Sequence, residues 1–295
     1  MTGPWLLVDA SPYIFRSYFA LPELTDPRGE PVQAVHGFAT VLAKMLREEA
    51  PRRVSVAFDE SLTTSFRNEI FPEYKAQRAL PPPELEAQLV RCRRAADAFG
   101  AETLADPRYE ADDLIATLLE REPPGAGARA VVVSGDKDLC QLVSPAVELY
   151  DYARGVRYDA RRVEEKMGVP PALVPDLLGL AGDAVDGIPG VPGIGPKTAV
   201  ALLAAFGDLD GILEAVEGER DLPVRGAARV ARLLVEHRDL ARLSRRLATV
   251  STEAPLEGWE RVDPWPGPHE GAVRALCEEL GAATLADRLL DGPAA

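Results

Sequence analysis

Short, mainly apolar runs followed by acidic residues recur along the first half of the chain. Runs of this kind are typical of strands buried inside a parallel sheet. The carboxyl ends of such strands meet at one edge of the sheet, where open α/β folds place their functional sites. The three runs span 5–8, 54–58 and 130–133, and the acidic residues that follow them are Asp9, Asp59, Asp136 and Asp138. We therefore predict three parallel strands that bring four carboxylates together.

The segments between and after these runs carry apolar residues at the spacing of amphipathic helices. The predicted helices cover 32–49, 84–99, 111–121, 160–167, 171–180, 199–206 and 270–290. Because strands alternate with helices in the first half of the chain, we expect a mainly parallel sheet covered by helices on both faces. The chain is therefore predicted to have an α/β core over residues 1–160 and a helical subdomain over residues 161–295.

A cluster of three carboxylates opens the helix predicted at residue 111. Glu110, Asp112 and Asp113 lie in or next to its first turn, where the helix dipole favours negative charge. Capping explains one such carboxylate, but three repel one another and require a nearby positive charge. For each acid in the cluster or at a strand end, a helix cap or a solvated surface is the alternative to metal binding. Their repetition along the chain makes separate capping roles the weaker explanation.

Aromatic and basic residues are mixed in the segment 63–80, which runs into three consecutive prolines. If the second half of this segment is helical, Lys75 and Arg78 share one face, and Tyr74 adjoins Arg78. Such a face can bind a phosphate and stack on a base. The alternative is a solvated surface helix whose long side chains cover apolar neighbours.

Two glycine-flanked turns precede the helix predicted at residue 199. The turn Gly193-Ile194-Gly195, followed by a proline, exposes backbone N–H groups at a helix start, which suits a DNA phosphate. Lys197 adds positive charge, and Asp183 and Asp186 lie a short distance upstream. A tight turn without any ligand is the alternative.

Composition narrows the class of protein. The chain has 295 residues, a formal charge of −14 and 46% hydrophobic residues, as in a globular protein without a broadly basic surface. The acidic excess is easier to explain if many of the acids hold metal ions. No apolar run reaches the roughly 18 residues of a membrane helix, so we expect a cytoplasmic protein. Cys92, Cys140 and Cys277 lack paired spacing and the three histidines are scattered, so neither a disulfide framework nor a zinc site is predicted.

Taken together, these blocks resemble the 5′ nuclease domain of bacterial DNA polymerase I, a member of the flap endonuclease family. The resemblance runs from Trp5 to Leu290, with the blocks in the family's order. The matching blocks are Asp9, Asp59, YEADD at 109–113, SGDKD at 134–138, Gly182-Asp183 with Asp186, and IPGVPGIGPKTA at 188–199. It implies a PIN-like α/β nuclease core with a helical arch at about 63–83, followed by a helix-hairpin-helix subdomain.

The resemblance also implies roles for individual residues. Lys75 and Arg78 would be catalytic cations that meet the scissile phosphate. A first metal group would consist of Asp9, Asp59, Glu110 and Asp112, and a second of Asp113, Asp136, Asp138, Asp183 and Asp186. The residues expected to bind DNA are Arg16, Arg67, Tyr74, Gly193, Gly195, Lys197 and Thr198.

These roles imply a structure-specific 5′-3′ exonuclease and 5′ flap endonuclease that acts in DNA replication or repair. Two or more Mg²⁺ or Mn²⁺ ions would activate a water molecule, and the hairpin of this family often holds a monovalent cation such as K⁺. The expected partners are flaps, nicks and branched duplexes with a free 5′ end, bound by a monomer, and a DNA polymerase acting in trans. A non-catalytic junction-binding protein and a PIN-type ribonuclease are the alternative functions.

Two features depart from the family's pattern. Gly187 stands where many relatives have asparagine, which questions the local geometry of the hairpin. No polymerase domain follows residue 295, so the sequence leaves open whether the enzyme is free-standing or part of a longer chain.

Overall fold

A six-stranded sheet forms the centre of the computed structural model, which describes residues 3–60, 64–78 and 80–291. The strands are β1 (Trp5–Asp9), β2 (Arg53–Asp59), β3 (Glu102–Asp106), β4 (Ala130–Val133), β5 (Val147–Asp151) and β6 (Val156–Tyr158). Their order across the sheet is β3-β2-β1-β4-β5-β6, and every neighbouring pair is parallel except β5 with β6. The three predicted strands are β1, β2 and β4, which lie side by side at the centre.

Helices cover the sheet and make up most of the second half of the chain. They are α1 (Ser11–Ala20), α2 (Gln33–Glu49), α3 (Phe66–Ile70), α4 (Pro83–Ala98), α5 (Ala111–Arg121), α6 (Ala160–Met167), α7 (Val174–Ala181), α8 (Pro196–Phe206), α9 (Leu209–Glu217), α10 (Ala227–Glu236), α11 (Arg238–Ala248), α12 (Glu270–Glu279) and α13 (Leu285–Leu290). The predicted helices are confirmed, although the one expected at 171–180 begins as a short 3₁₀ turn and the tail divides into two helices. None of the described helices is long and apolar enough to cross a membrane.

Two hydrophobic cores lie on opposite faces of the sheet, because successive side chains of a strand point in opposite directions. Leu7 and Val132 face one core, which is shared with α5 and with α7 to α11. Leu6 and Val8 face the other, which is filled by α1, α2, α4, α12 and α13. Helices α7 to α11 therefore share one core with a single face of the sheet.

The C-terminal helices return to the first half of the chain. Val273, Cys277 and Leu289 are buried in the same core as α2 and α4, on the face opposite the other late helices. The segment before them is anchored as well, since the Trp265 indole donates a hydrogen bond to the carbonyl of Phe99. The tail thus completes the sheet's second layer, although the sequence grouped it with the helical subdomain. The division at residue 160 stays a prediction.

The predicted arch at 63–83 needs correction. Within it, Thr63 and Ala79 lie outside the described residues, and α3 is the helix that the structure places between residues 64 and 78. Residues 72–77 form successive turns, and Lys75 has a left-handed φ of 54°. A residue in this conformation interrupts a right-handed helix. The helical face expected for Lys75 and Arg78 is therefore not formed.

Candidate metal and DNA site

A cleft of about 810 Å³ opens at the carboxyl ends of the central strands. The order of the sheet reverses between β1 and β4, and such a switch point leaves a crevice between the loops that follow the two strands. Asp9 ends β1 and Asp136 follows β4, so both reach this crevice. The predicted acids that line the cleft are Asp9, Asp59, Glu110, Asp112 and Asp136. The structure thus brings together carboxylates from four separate parts of the chain.

Serine side chains hold two of these carboxylates in place. The amide of Ser11 and the hydroxyl of Ser134 donate to the two oxygens of Asp9, at 3.1 and 2.8 Å. The Ser11 hydroxyl also donates to Asp59 at 2.6 Å, and the amide of Ala111 donates to its other oxygen at 2.7 Å. Sequence reasoning overlooked both serines, although each stands two residues from a candidate acid.

Burial and mutual repulsion raise the pKa of several carboxyl groups in and beside the cleft. Burial, followed by the charge of Asp59, raises the pKa of Asp9 to about 8. Burial, followed by the charge of Asp136, raises the pKa of Asp138 to about 8. Burial likewise raises the pKa of Asp112 and of Asp136. A cation bound in the cleft would stabilise the ionised form of a carboxyl group whose pKa is raised in this way.

A second group of acids adjoins the cleft and is held by cationic side chains. Lys137 Nζ lies 2.6 Å from Asp183, and Arg78 lies 2.6 Å from Asp186. In contrast, Asp138 Oδ1 is buried and has no hydrogen-bond partner among the described residues. The sequence motif predicted Asp138 as a ligand, but only the structure reveals that one of its oxygens is unpaired.

Lys75 joins the two groups of acids. Its Nζ lies 2.5 Å from Glu110 and 3.6 Å from Asp186. Although burial opposes it, the charges of Lys75 and Arg67 lower the pKa of Glu110 overall. Across residues 3–60, 64–78 and 80–291, no three acidic, histidine or cysteine side chains converge closely enough to form a finished metal site. Cationic side chains instead stand against several of the predicted ligands.

Asp113 has a structural role, which corrects its predicted place among the metal ligands. It is fully buried, and its two oxygens accept hydrogen bonds from the Arg67 guanidinium at 2.7 and 2.8 Å. The same carboxylate also accepts the amide hydrogens of Glu110 and Ser251. Because both oxygens are occupied away from the cleft, Asp113 fixes the start of α5 and does not face the other acids.

Arg67 and Tyr74 are also corrected, because neither can reach DNA. Arg67 is only 3% exposed and donates to the carbonyls of Leu247 and Thr249 as well as to Asp113. Tyr74 is 3% exposed, so its ring cannot stack on a base, and its hydroxyl lies 3.3 Å from Glu110. Both residues attach the turn segment to the interior. Aromatic and basic composition alone could not distinguish this arrangement from a DNA-binding surface.

The remaining DNA-binding candidates lie on exposed surfaces. Arg16 lines the cleft, together with the ring of Phe19, which is 71% exposed. In the hairpin, Gly193 and Gly195 are exposed, Lys197 is exposed at the start of α8, and Thr198 is half-buried. The turn is tightly closed, since a Cβ on Gly190 would lie 2.3 Å from the amide nitrogen of Gly182.

Arg229 extends this hairpin surface, although it lies outside the sequence motifs. A Cβ on Gly193 would lie 3.0 Å from the Arg229 guanidinium, so the arginine stands directly against the turn. Arg225, Arg229 and Arg232 are exposed, and none has a salt bridge among the described residues. Arg229 and Arg232 lie three residues apart on one side of α10, and Arg225 lies just before the helix begins.

Two family models together match nearly the whole chain. Residues 4–168 match the 5′-3′ exonuclease N-terminal resolvase-like domain, and residues 169–264 match the 5′-3′ exonuclease C-terminal SAM fold. Among curated proteins, DNA polymerase I of Rhizobium leguminosarum is 43% identical over 85% of this chain and 25% of its own length. DNA polymerase I of Bacillus caldotenax is 39% identical over 96% of this chain and 32% of its own length. The chain thus spans a third or less of these relatives.

Solved structures share the fold. The T5 D15 protein, co-crystallised with metal ions, matches with a TM-score of 0.68 at 20% identity, covering 98% of both chains. The catalytic core of Rad2 in complex with a DNA substrate matches with a TM-score of 0.65 at 17% identity, covering 98% of this chain and 92% of that one. These agreements confirm the resemblance and the fold class inferred from the sequence motifs. The chain belongs to the 5′-3′ exonuclease family.

Proposed function

We propose that the chain is a structure-specific 5′-3′ exonuclease and 5′ flap endonuclease that hydrolyses DNA phosphodiester bonds with two divalent metal ions. The observation that carries the proposal is the cleft itself. It combines five of the predicted carboxylates with Lys75 and Arg78, the two cations expected to meet a phosphate. A role in DNA replication or repair is part of the same proposal and is supported by the DNA polymerase I relatives.

The cleft residues fit Mg²⁺ or Mn²⁺. Its donors are carboxylate oxygens, and neither histidine nor cysteine lines it, which favours a hard cation over zinc. Two further observations support the binding of a cation. The pKa values of Asp9 and Asp138 are raised, and Oδ1 of Asp138 has no hydrogen-bond partner among the described residues. The proposed ligands are Asp9, Asp59, Glu110 and Asp112 for one group and Asp136, Asp138, Asp183 and Asp186 for the other.

When bound, divalent ions supply a water molecule activated near neutral pH and stabilise charge on the departing oxygen. The chain's own part is to hold the phosphate in line. Lys75 contacts both acid groups and Arg78 pairs with Asp186, so their side chains can transfer from carboxylates to a phosphate placed in the cleft. Their positive charges then stabilise the transition state. The product downstream of the cut retains the 5′-phosphate.

The DNA duplex is proposed to follow a narrow basic track. Lys197 and the helix start beside it offer positive charge and free N–H groups to a phosphate, and Arg229 extends this surface. Arg16 lies at the cleft and would meet the strand that carries the free 5′ end. Contacts of this kind read shape rather than base sequence, which suits flaps, nicks and branched duplexes. The same proposal includes a K⁺ ion at the hairpin, a monomeric enzyme and a DNA polymerase that acts in trans.

The test is cleavage of a 5′-labelled double-flap DNA in Mg²⁺ or in EDTA. We expect the wild type to release a short 5′ fragment only with Mg²⁺. Asp136→Asn should lose this activity, because Asp136 is a proposed ligand that lines the cleft beside the acids of the other group. Asp239→Asn is the matched control, since the Asp239 side chain is 91% exposed and outside the cleft. It should cleave as the wild type does.

Two outcomes would favour the alternatives. DNA that is bound but uncut across a range of Mg²⁺ and Mn²⁺ concentrations would replace the nuclease with a junction-binding protein. Faster cleavage of a matched RNA flap would indicate a ribonuclease. The hairpin surface favours DNA, because a helix-hairpin-helix element binds the backbone of a duplex rather than unpaired bases.

A further inference from the structure

The turn segment that carries Lys75 and Arg78 is attached to the loop 183–187 by contacts that use no carboxylate. The amide of Lys75 donates to the carbonyl of Asp186 at 2.9 Å. The Gln77 side-chain amide donates to the carbonyl of Val185 at 2.8 Å and more weakly to that of Ala184 at 3.3 Å. These neutral hydrogen bonds join two segments that are more than one hundred residues apart in sequence.

Gly187 allows this close approach. It has a φ of 70°, and a Cβ at this position would lie 3.0 Å from the carbonyl oxygen of Glu73 and 3.4 Å from the amide nitrogen of Lys75. Any side chain at Gly187 would therefore press against the turn segment. The close contact with the turn segment therefore gives a structural reason for glycine at this position.

The ion pairs in the same region cannot hold the turn segment against the loop 183–187 throughout the proposed reaction. Lys75 and Arg78 pair with Glu110 and Asp186, which are proposed metal ligands. In the proposed reaction those carboxylates bind metal ions instead, and the two basic side chains bind the phosphate. The hydrogen bonds of Gln77 and of the Lys75 amide involve only backbone carbonyls, so they can persist through that exchange.

We infer that Gln77 is a positioning residue that, together with Gly187, holds the turn segment at the cleft while Lys75 and Arg78 change partners. The conformation of Lys75 agrees with this role. A non-glycine residue keeps a left-handed φ only where its surroundings impose it, and here the Asp186 carbonyl engages its amide. The inference rests on the proposed nuclease function for its catalytic meaning, but the attachment can be measured without catalysis.

Hydrogen exchange of the 295-residue chain tests the attachment directly. The Lys75 amide should be protected both in EDTA and in Ca²⁺, because its acceptor is a carbonyl rather than a carboxylate. Gln77→Ala should increase the exchange rate around residue 75 by about fivefold, as expected from the loss of one or two solvent-exposed hydrogen bonds. Gln77→Glu should do the same, since a carboxylate cannot donate to the carbonyls of Ala184 and Val185.

Glu73→Ala is the matched control, since the Glu73 side chain makes no hydrogen bond or salt bridge with the described residues. Its exchange and activity should match the wild type. Gly187→Ala tests the same attachment from the opposite segment and should increase exchange in the same direction. Gln77 is exposed, so its variants should keep the melting temperature of the wild type.

Kinetics then separate positioning from binding. With saturating flap DNA and Mg²⁺, Gln77→Ala should lower kcat by about fivefold, while Kd for the same DNA in EDTA changes less than about twofold. Unchanged exchange in Gln77→Ala, or unchanged kcat despite faster exchange, would overturn the inference. A wild type that cleaves no DNA would instead refute the proposed function, and the exchange measurement would still decide whether the attachment exists.

Discussion

Asp112 and Asp113 are adjacent in sequence, but the structure predicts opposite effects when each loses its charge. Asp113→Asn leaves the buried guanidinium of Arg67 without its counterion. Asp112→Asn removes a charge that burial and the neighbouring Asp136 disfavour, as the raised pKa of Asp112 indicates. We therefore expect the first substitution to destabilise the metal-free protein and the second to leave it unchanged or more stable.

The magnitude follows from the burial of the Arg67–Asp113 pair. Both side chains are at most 3% exposed, and loss of one partner of such a pair costs about 3–5 kcal/mol. A folded chain of 295 residues has an unfolding entropy of about 0.6 kcal/mol/K. Asp113→Asn should therefore lower the melting temperature by roughly 5–8 °C.

The assay combines thermal unfolding in EDTA with a Mn²⁺ titration of the folded proteins at a temperature well below either transition. Asp113→Asn should melt early yet bind Mn²⁺ with nearly wild-type affinity. Asp112→Asn should melt normally yet bind Mn²⁺ at least about tenfold more weakly, since it loses a proposed ligand. The double variant Arg67→Met/Asp113→Leu should recover part of the lost stability, because no unpaired charge remains in the interior.

The reasoning would be refuted by the reverse pattern. If Asp113→Asn kept the wild-type melting temperature and lost Mn²⁺ binding, Asp113 would be a metal ligand, as the sequence motif first suggested. Destabilisation by Asp112→Asn in EDTA would show that the acids of the cleft do not repel one another.

Two further predictions concern pH and salt. The pKa of Asp9 and of Asp138 is raised to about 8 in the folded state, so the unfolded chain binds fewer protons between about pH 4 and pH 8. The stability contributed by these two groups therefore falls as pH rises through that range. Added Mg²⁺ should raise the melting temperature more at pH 8 than at pH 5. An equal rise at both pH values would contradict this. Arg229→Ala should weaken duplex binding and reduce the slope of log Kd against log salt by about 1. The value of kcat at saturating DNA should not change. An unchanged slope would show that Arg229 does not contact the DNA backbone.

The sequence allowed the centre of the fold and most of the site to be predicted. Apolar runs that are buried on both faces identified β1, β2 and β4, and the acids that follow them reach one cleft. The strands β3, β5 and β6 were missed because they include partly exposed residues and lie away from the centre of the sheet. A continuous apolar run indicates a strand buried on both faces, whereas partly exposed strands lack such a run.

Long-range pairing explains what could not be predicted within the site. Arg67 and Tyr74 have the composition of a DNA-binding surface, and only their contacts with Asp113 and Glu110 reveal that they are interior residues. Asp113 stands in the same motif as Asp112, yet a rotation of about 100° along the helix turns it away from the cleft. Spacing predicts which residues share a region, whereas the partner of each charge depends on segments far away in the chain.

The return of the C-terminal helices to the sheet has a consequence for synthesis on the ribosome. Roughly 170 residues separate the end of α4 from the start of α12, which covers it. At about 5–20 residues per second, this part of the apolar layer stays uncovered for roughly 10–30 s after α4 has been made. During that interval the nascent chain exposes a surface to which chaperones can bind, and a stop in translation before α12 would leave it exposed for good.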